Sequence, residues 1–137
     1  MPHDPALVED TRSWLVKASL DLRAAKHDLE ASPPLAADAV FHCQQAAEKA
    51  LKAFLAWHDE PFRKTHNLEE LGRQAAALDS SLGPLADRAG GLTEYAWKFR
   101  YPGEPGEPTR EETEQALALA REVYDGILLR LPEEVRP

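Results

Sequence analysis

A chain of 137 residues fits one domain, taken as 1–137, with a core that needs no covalent staple. Its formal charge of −8 excludes a non-specific nucleic-acid binder, which needs clustered cations on one face, but leaves room for a small basic pocket. One cysteine excludes an intramolecular disulfide. No apolar run approaches the ~18 residues of a membrane span and no signal-peptide core is found, so a soluble, cytoplasmic protein with no membrane partner is expected.

Leu and Ala dominate the apolar content, which favours helix over sheet. The first helix is expected over about residues 6–31, with Val8, Thr11, Leu15, Ala18, Leu22, Ala25 and Leu29 spaced by three and four. Ser32-Pro33-Pro34 ends it, because proline cannot continue a helix. The second spans roughly residues 35–58. Ala39, Val40, Cys43, Ala46, Ala47, Ala50, Leu51, Phe54 and Leu55 cover an apolar arc of roughly 200 degrees, where an outer helix of a bundle needs only about 100. It must be contacted from two sides and organises the domain. Cys43, within that arc, is expected to be a buried, inert thiol. The polar arc carries His42, Gln45, Glu48, Lys49 and Lys52, with Gln44 on its border.

An irregular connector over residues 59–66 leads to a third, shorter helix capped by Asn67, with Glu70 at the capping-box position. Gly83-Pro84 opens a fourth helix, expected to run to about Phe99 and to loosen at Gly90-Gly91. Residues 101–108 form a Pro/Gly loop. Thr109 caps the last helix, whose face is built from Ala116, Leu117, Ala120, Val123, Tyr124, Ile127 and Leu131. The expected fold is all-α, an up-and-down helical bundle of four long helices plus one short one.

Several chemistries are missing. Glu-x-x-His, His-Glu-x-x-His, Walker A and G-x-G-x-x-G patterns do not occur, and His66 with Glu70 gives two ligands, short of a site, so neither metal nor cofactor is expected. Adjacent His42 and Cys43 project about 100 degrees apart on a helix and do not form a nucleophile–base pair. Two polar clusters remain. Arg63, Lys64 and His66 precede a helix N-terminus, which suits an anion, or simply form a solvated connector with His66 folded back as a cap. Tyr95, Trp97, Lys98, Arg100 and Tyr101 end the fourth helix, where the cations close the helix against its dipole or, with the aromatics, make a base-stacking and phosphate-binding surface. A third group, Gln44, Gln45, Glu48 and Lys49, is read as a polar network of the central helix. One or both of Gln44 and Glu48 are expected to be partly buried and bonded to Lys or Arg of neighbouring helices, with Arg100 a candidate.

The order Trp14-Leu15-x-x-Ala18-x-x-Asp21-Leu22-x-x-Ala25, then residues Phe41 to Ala53, then Thr65-His66-Asn67-Leu68, then Arg100-Tyr101-Pro102 resembles the HEPN domain family. The resemblance covers about residues 7–131. It implies an all-α bundle, a homodimer and a minimal nucleotidyltransferase as partner, often in a toxin–antitoxin pair. HEPN ribonucleases share an arginine followed four to six residues later by a histidine. Here no histidine follows His66, and the loop after Arg100 offers Glu104 and Glu107, which repel a phosphodiester. The expectation is a non-catalytic binding module for nucleotide or RNA. The alternatives are a metal-independent ribonuclease toxin using a displaced histidine, His66 or His42, and a purely structural dimerising bundle. The apolar inventory also points to a homodimer, with Trp14 and residues 95–100 near a two-fold interface.

Overall fold

Asp4 starts the first helix by accepting the Ala6 amide at 2.9 Å, with Pro5 in the first turn where no intrahelical donor is missed. The computed structural model describes residues 3–103 and 106–137, and all regular structure among them is helical. Helix α1 runs Pro5–Glu30 and α2 Ala36–Trp57, with Ser32-Pro33-Pro34 between them as expected. The two pack along their length. The α1 contact face carries Ala18 and Ala25, and α2 presents Ala39, Ala46, Ala47, Ala50 and Ala53, all essentially buried; small side chains let the two backbones approach closely.

The wide apolar arc of α2 is satisfied from two sides. Besides α1, α2 touches α3 (Leu68–Leu78), α5 (Arg110–Leu128) and the 3-10 segment Gly90–Ala96. Val40, Leu51, Phe54 and Leu55 fill the space between them, at no more than 2% exposure. Cys43 is buried there, and desolvation pushes its thiol up to about 12, so it stays protonated and inert at neutral pH.

The caps fall where the sequence puts them. Asn67 accepts the Glu69 and Glu70 amides, and Thr109 accepts the Glu112 amide. Glu70 does not complete a capping box, because Arg63 draws its carboxylate away. The expected fourth helix is split. Helix α4 spans Gly83–Ala89, and the chain continues as 3-10 turns to Ala96. Two consecutive glycines weaken the α-helical ladder, and a Cβ at Gly90 would stand 2.8 Å from Glu69 Cγ, so the backbone there lies close on α3. The up-and-down bundle is thus made of long α1, α2 and α5 (26, 22 and 19 residues) with the shorter α3 and α4.

Candidate functional site

The polar border of α2 holds far more buried charge than its exposed helical position suggests. Gln44, Glu48 and Lys52 are 0%, 4% and 7% exposed. Glu48 is the hub. Its Oε2 accepts from Lys52 Nζ at 3.0 Å, one turn on, and its Oε1 accepts from Gln44 Nε2 at 3.1 Å. The same Oε1 lies 2.7 Å from His66 Nδ1. An ionised carboxylate only accepts, so this ring nitrogen carries the proton and Nε2 is left outward. Gln44 also donates to the His66 carbonyl at 3.0 Å, and Gln45 donates to Gln44 Oε1 at 2.7 Å. Lys52 is capped by the Trp14 and Phe62 rings, 5.6 and 5.7 Å from its ammonium.

Gln44 and Glu48 are therefore buried and bonded as expected, but not to neighbouring helices' cations. Lys52 comes from their own helix, and His66 from the connector. Arg100 is elsewhere, its guanidinium over the Phe41 ring at 3.7 Å.

A second buried cluster joins α1 to α2. Asp21, 7% exposed, accepts from Lys49 Nζ at 2.6 Å and meets His42 Nδ1 at 2.8 Å. The other ring nitrogen of His42 faces Asp38 at 3.3 Å, and Asp28 of α1 lies beside them. Burial, then the adjacent Asp38 carboxyl, push Asp28 up to about 6. Asp21, Asp28 and Asp38 were not singled out as site residues from the sequence. The Asp21-x-x-x-x-x-x-Asp28 spacing on one face of α1, opposite His42 and Lys49, was the available signal.

The two candidate anion-binding segments differ. Arg63 is committed to Glu70 through two bonds of 3.0 and 2.7 Å, although its side chain is 76% exposed. Lys64 is exposed, and the His66 ring is 64% exposed. Tyr95 does not lie on a ligand surface. It is 7% exposed, stacks on Phe99 and donates its hydroxyl to Glu112 at 2.7 Å. Burial, reinforced by Glu112, raises the pKa of that phenol above its ordinary value. Its aromatic bulk belongs to the core because the 3-10 turn rotates it inward.

Trp97, Arg100 and Tyr101 remain outside. Trp97 is 56% and Tyr101 76% exposed. Phe99 adopts φ 70°, a left-handed conformation uncommon for a bulky residue, and the turn it makes delivers Arg100 onto Phe41. Arg100 also lines a shallow recess with Ala37, Asp38 and Phe99. Among the described residues it forms no ion pair. Glu107 is exposed, and Glu104 lies outside the described residues.

Both segments address one stripe of α2. Arg100 sits on Phe41 and His66 on Glu48, seven residues further, a spacing of about 10 Å along the axis on nearly the same face. This stripe, between two segments distant in sequence, is where the chain's most distinctive residues meet. The HEPN domain family model matches residues 11–130, from the second turn of α1 to just past α5. The chain belongs to the HEPN domain family. No curated protein and no solved structure matches it. In this HEPN domain the motif residues of α2 and of the Thr65-His66-Asn67-Leu68 segment form one hydrogen-bonded unit through Glu48. No described helix is long and apolar enough to cross a membrane.

Proposed function

We propose that residues 1–137 act as one HEPN binding module that holds RNA or nucleotide through Arg100, Trp97 and Tyr101, as a homodimer working with a minimal nucleotidyltransferase in a toxin–antitoxin-like system of the cytoplasm. The observation that carries the ligand half is the state of Arg100. Its guanidinium lies over an aromatic ring, solvent-exposed, in no ion pair among the described residues and flanked by two exposed aromatics. A guanidinium fixed by stacking keeps its donors for a phosphate, and exposed rings take a base on either face. Lys64 is a further exposed cation of the connector, whereas Arg63 is occupied by Glu70. Family membership supports the homodimer and the nucleotidyltransferase partner.

The module binds without turnover in this reading. A general acid or base must lie within hydrogen-bond reach of the reacting oxygen, and no histidine follows Arg100 in the chain. A second reading draws on one feature. His66 has the form of an acid–base histidine, its Nδ1 oriented by the buried Glu48 and its ring exposed. That reading makes the protein a ribonuclease with a displaced histidine. The experiment incubates metal-stripped protein with structured and single-stranded RNA, alongside Arg100→Ala and His66→Ala. The binding module predicts intact RNA in every sample and a retarded complex that Arg100→Ala loses. Cleavage by the parent, abolished by both substitutions, would move the protein to the ribonuclease reading.

A further inference from the structure

The junction of α1 and α2 brings two carboxylates and an imidazole to one point. Ligand-type atoms of Asp28, Asp38 and His42 all lie within 4.8 Å of one another. Asp38 and His42 are one turn apart on α2, so their side chains share a face, and Asp28 approaches from the last turns of α1. The loop between is pinned where Leu35 N donates to the Asp28 carbonyl at 2.9 Å. These positions are 10 and 14 residues apart from Asp28 in the chain, which is why no ligand spacing is visible in the sequence alone.

Three further observations point to a cation. The first is the orientation of His42. Its Nδ1 is held by Asp21 Oδ1 at 2.8 Å, leaving Nε2 aimed at the Asp38 carboxylate at 3.3 Å. A carboxylate that fixes one ring nitrogen while the other faces the ligand position is the support that metal-bound histidines use. The second is an orphan. The inner oxygen of Asp28, Oδ2, is shut off from solvent and has no donor partner, and the one side chain its carboxyl shares a hydrogen bond with is Asp38, itself acidic. Buried polar atoms are almost always paired, so this one lacks a counterpart. The third is the charge balance. Lys49 answers Asp21, but no described Lys or Arg pairs with Asp28 or Asp38. Asp28 also stands near the C-terminal end of α1, where the helix dipole disfavours a negative charge.

We propose that Asp28, Asp38 and Nε2 of His42 bind a divalent transition-metal ion of the zinc class, with Asp21 as the positioning residue for the imidazole. Metal–ligand bonds of about 2.0–2.1 Å in a tetrahedron place neighbouring ligand atoms roughly 3.3–3.4 Å apart. The His42–Asp38 separation already has that value, and the Asp28 ligand atom lies within 4.8 Å of both. One nitrogen and two oxygens suit zinc and its neighbours, whereas magnesium prefers six oxygens. Asp38 is 52% exposed and borders an open recess, which supplies an entry path. Asp38 and Arg100 line the same recess, so an ion held here would sit beside the proposed RNA contact.

The test uses tag-free, chelator-treated protein in equilibrium dialysis against ZnCl2, with metal quantified per chain. One zinc per chain is expected, retained against an equal concentration of MgCl2. Asp38→Asn and His42→Gln should each weaken binding at least about 10-fold, and Asp21→Asn about 10-fold or more through loss of orientation. Asp125→Asn, on the outer face of α5, should bind like the parent. Asp38 is half exposed at the start of α2, so Asp38→Asn keeps the fold, which circular dichroism verifies, even where His42→Gln does not. Zinc uptake equal in the parent and Asp38→Asn, or none in the parent, would overturn the proposal and leave His42 as a hydrogen-bond bridge between Asp21 and Asp38. Displacement of zinc by equimolar magnesium would overturn the assignment to a transition metal.

Discussion

The Glu48 cluster and the Trp97–Tyr101 segment border the same stripe of α2 with similar residue types, yet they relate to solvent in opposite ways. In the first, every charged group is buried and answered within the chain: Glu48 by Lys52, Gln44 and His66, and Lys52 also by two aromatic rings. In the second, Arg100 and two aromatics are exposed, and Arg100 has a ring beneath it but no ion pair among the described residues. Buried, mutually satisfied charge fixes how elements pack; its removal leaves an uncompensated ion. Exposed, unanswered charge contributes little to folding and is free for a partner. The two regions should therefore fail in different assays.

The largest expected effect is on the buried side. Glu48→Ala strands the Lys52 ammonium and the Gln44 amide, and breaking a buried pair from one side costs about 3–5 kcal/mol in urea melts. Lys49→Ala leaves the buried Asp21 carboxylate still bonded to His42, so it should cost less, on the order of 1–2 kcal/mol. Equal, negligible losses for both would remove the argument that Glu48 is a structural hub. Tyr95→Phe keeps the ring in the core and deletes only the bond to Glu112, so a loss of about 1–2 kcal/mol is expected; a change in RNA affinity at unchanged stability would instead return Tyr95 to the ligand surface.

Cys43 probes the packing around α2 without a mutation. Burial pushes its thiol up to about 12, whereas an unfolded thiol titrates near 8.5. Between these values the folded chain keeps the proton that the unfolded chain releases. At pH 8 a disulfide reagent should therefore react slowly with the native protein and rapidly in urea. Fast labelling of the native state would mean that the face of α2 opens readily. The smallest stability effect is expected for Arg100→Ala, about 0.5 kcal/mol, as for an exposed side chain whose one contact is a surface cation–π pair.

The fold was largely legible because it rests on local patterns. The 200-degree arc of α2 forecast a helix packed on two sides, and Asn67 and Thr109 announced their helices through side-chain oxygens that act within three residues. The split after Ala89 was only hinted at by Gly90-Gly91, since close approach to Glu69 decides it. The site was less legible for the same reason in reverse. Lys52 sits on the polar arc, and it is buried because Trp14 and Phe62 close over it from other elements. Glu48 finds its partner 18 residues on, in His66. Tyr95 reads as an aromatic beside cations, and only the 3-10 turn sends it inward. Helix periodicity reports which face is polar, not which polar face a later segment covers.

The central claim is that recognition resides in Arg100 and its exposed neighbours while the α2 cluster serves the fold. The most direct test is a fluorescence-anisotropy titration of labelled single-stranded RNA at one fixed salt concentration, with parent and Arg100→Ala protein whose urea midpoints are measured on the same preparations. The account predicts a Kd weakened about 10-fold or more, the loss of 1.4 kcal/mol or greater that one phosphate or stacking contact carries, with the midpoint unchanged. An unchanged Kd beside an unchanged midpoint would contradict it.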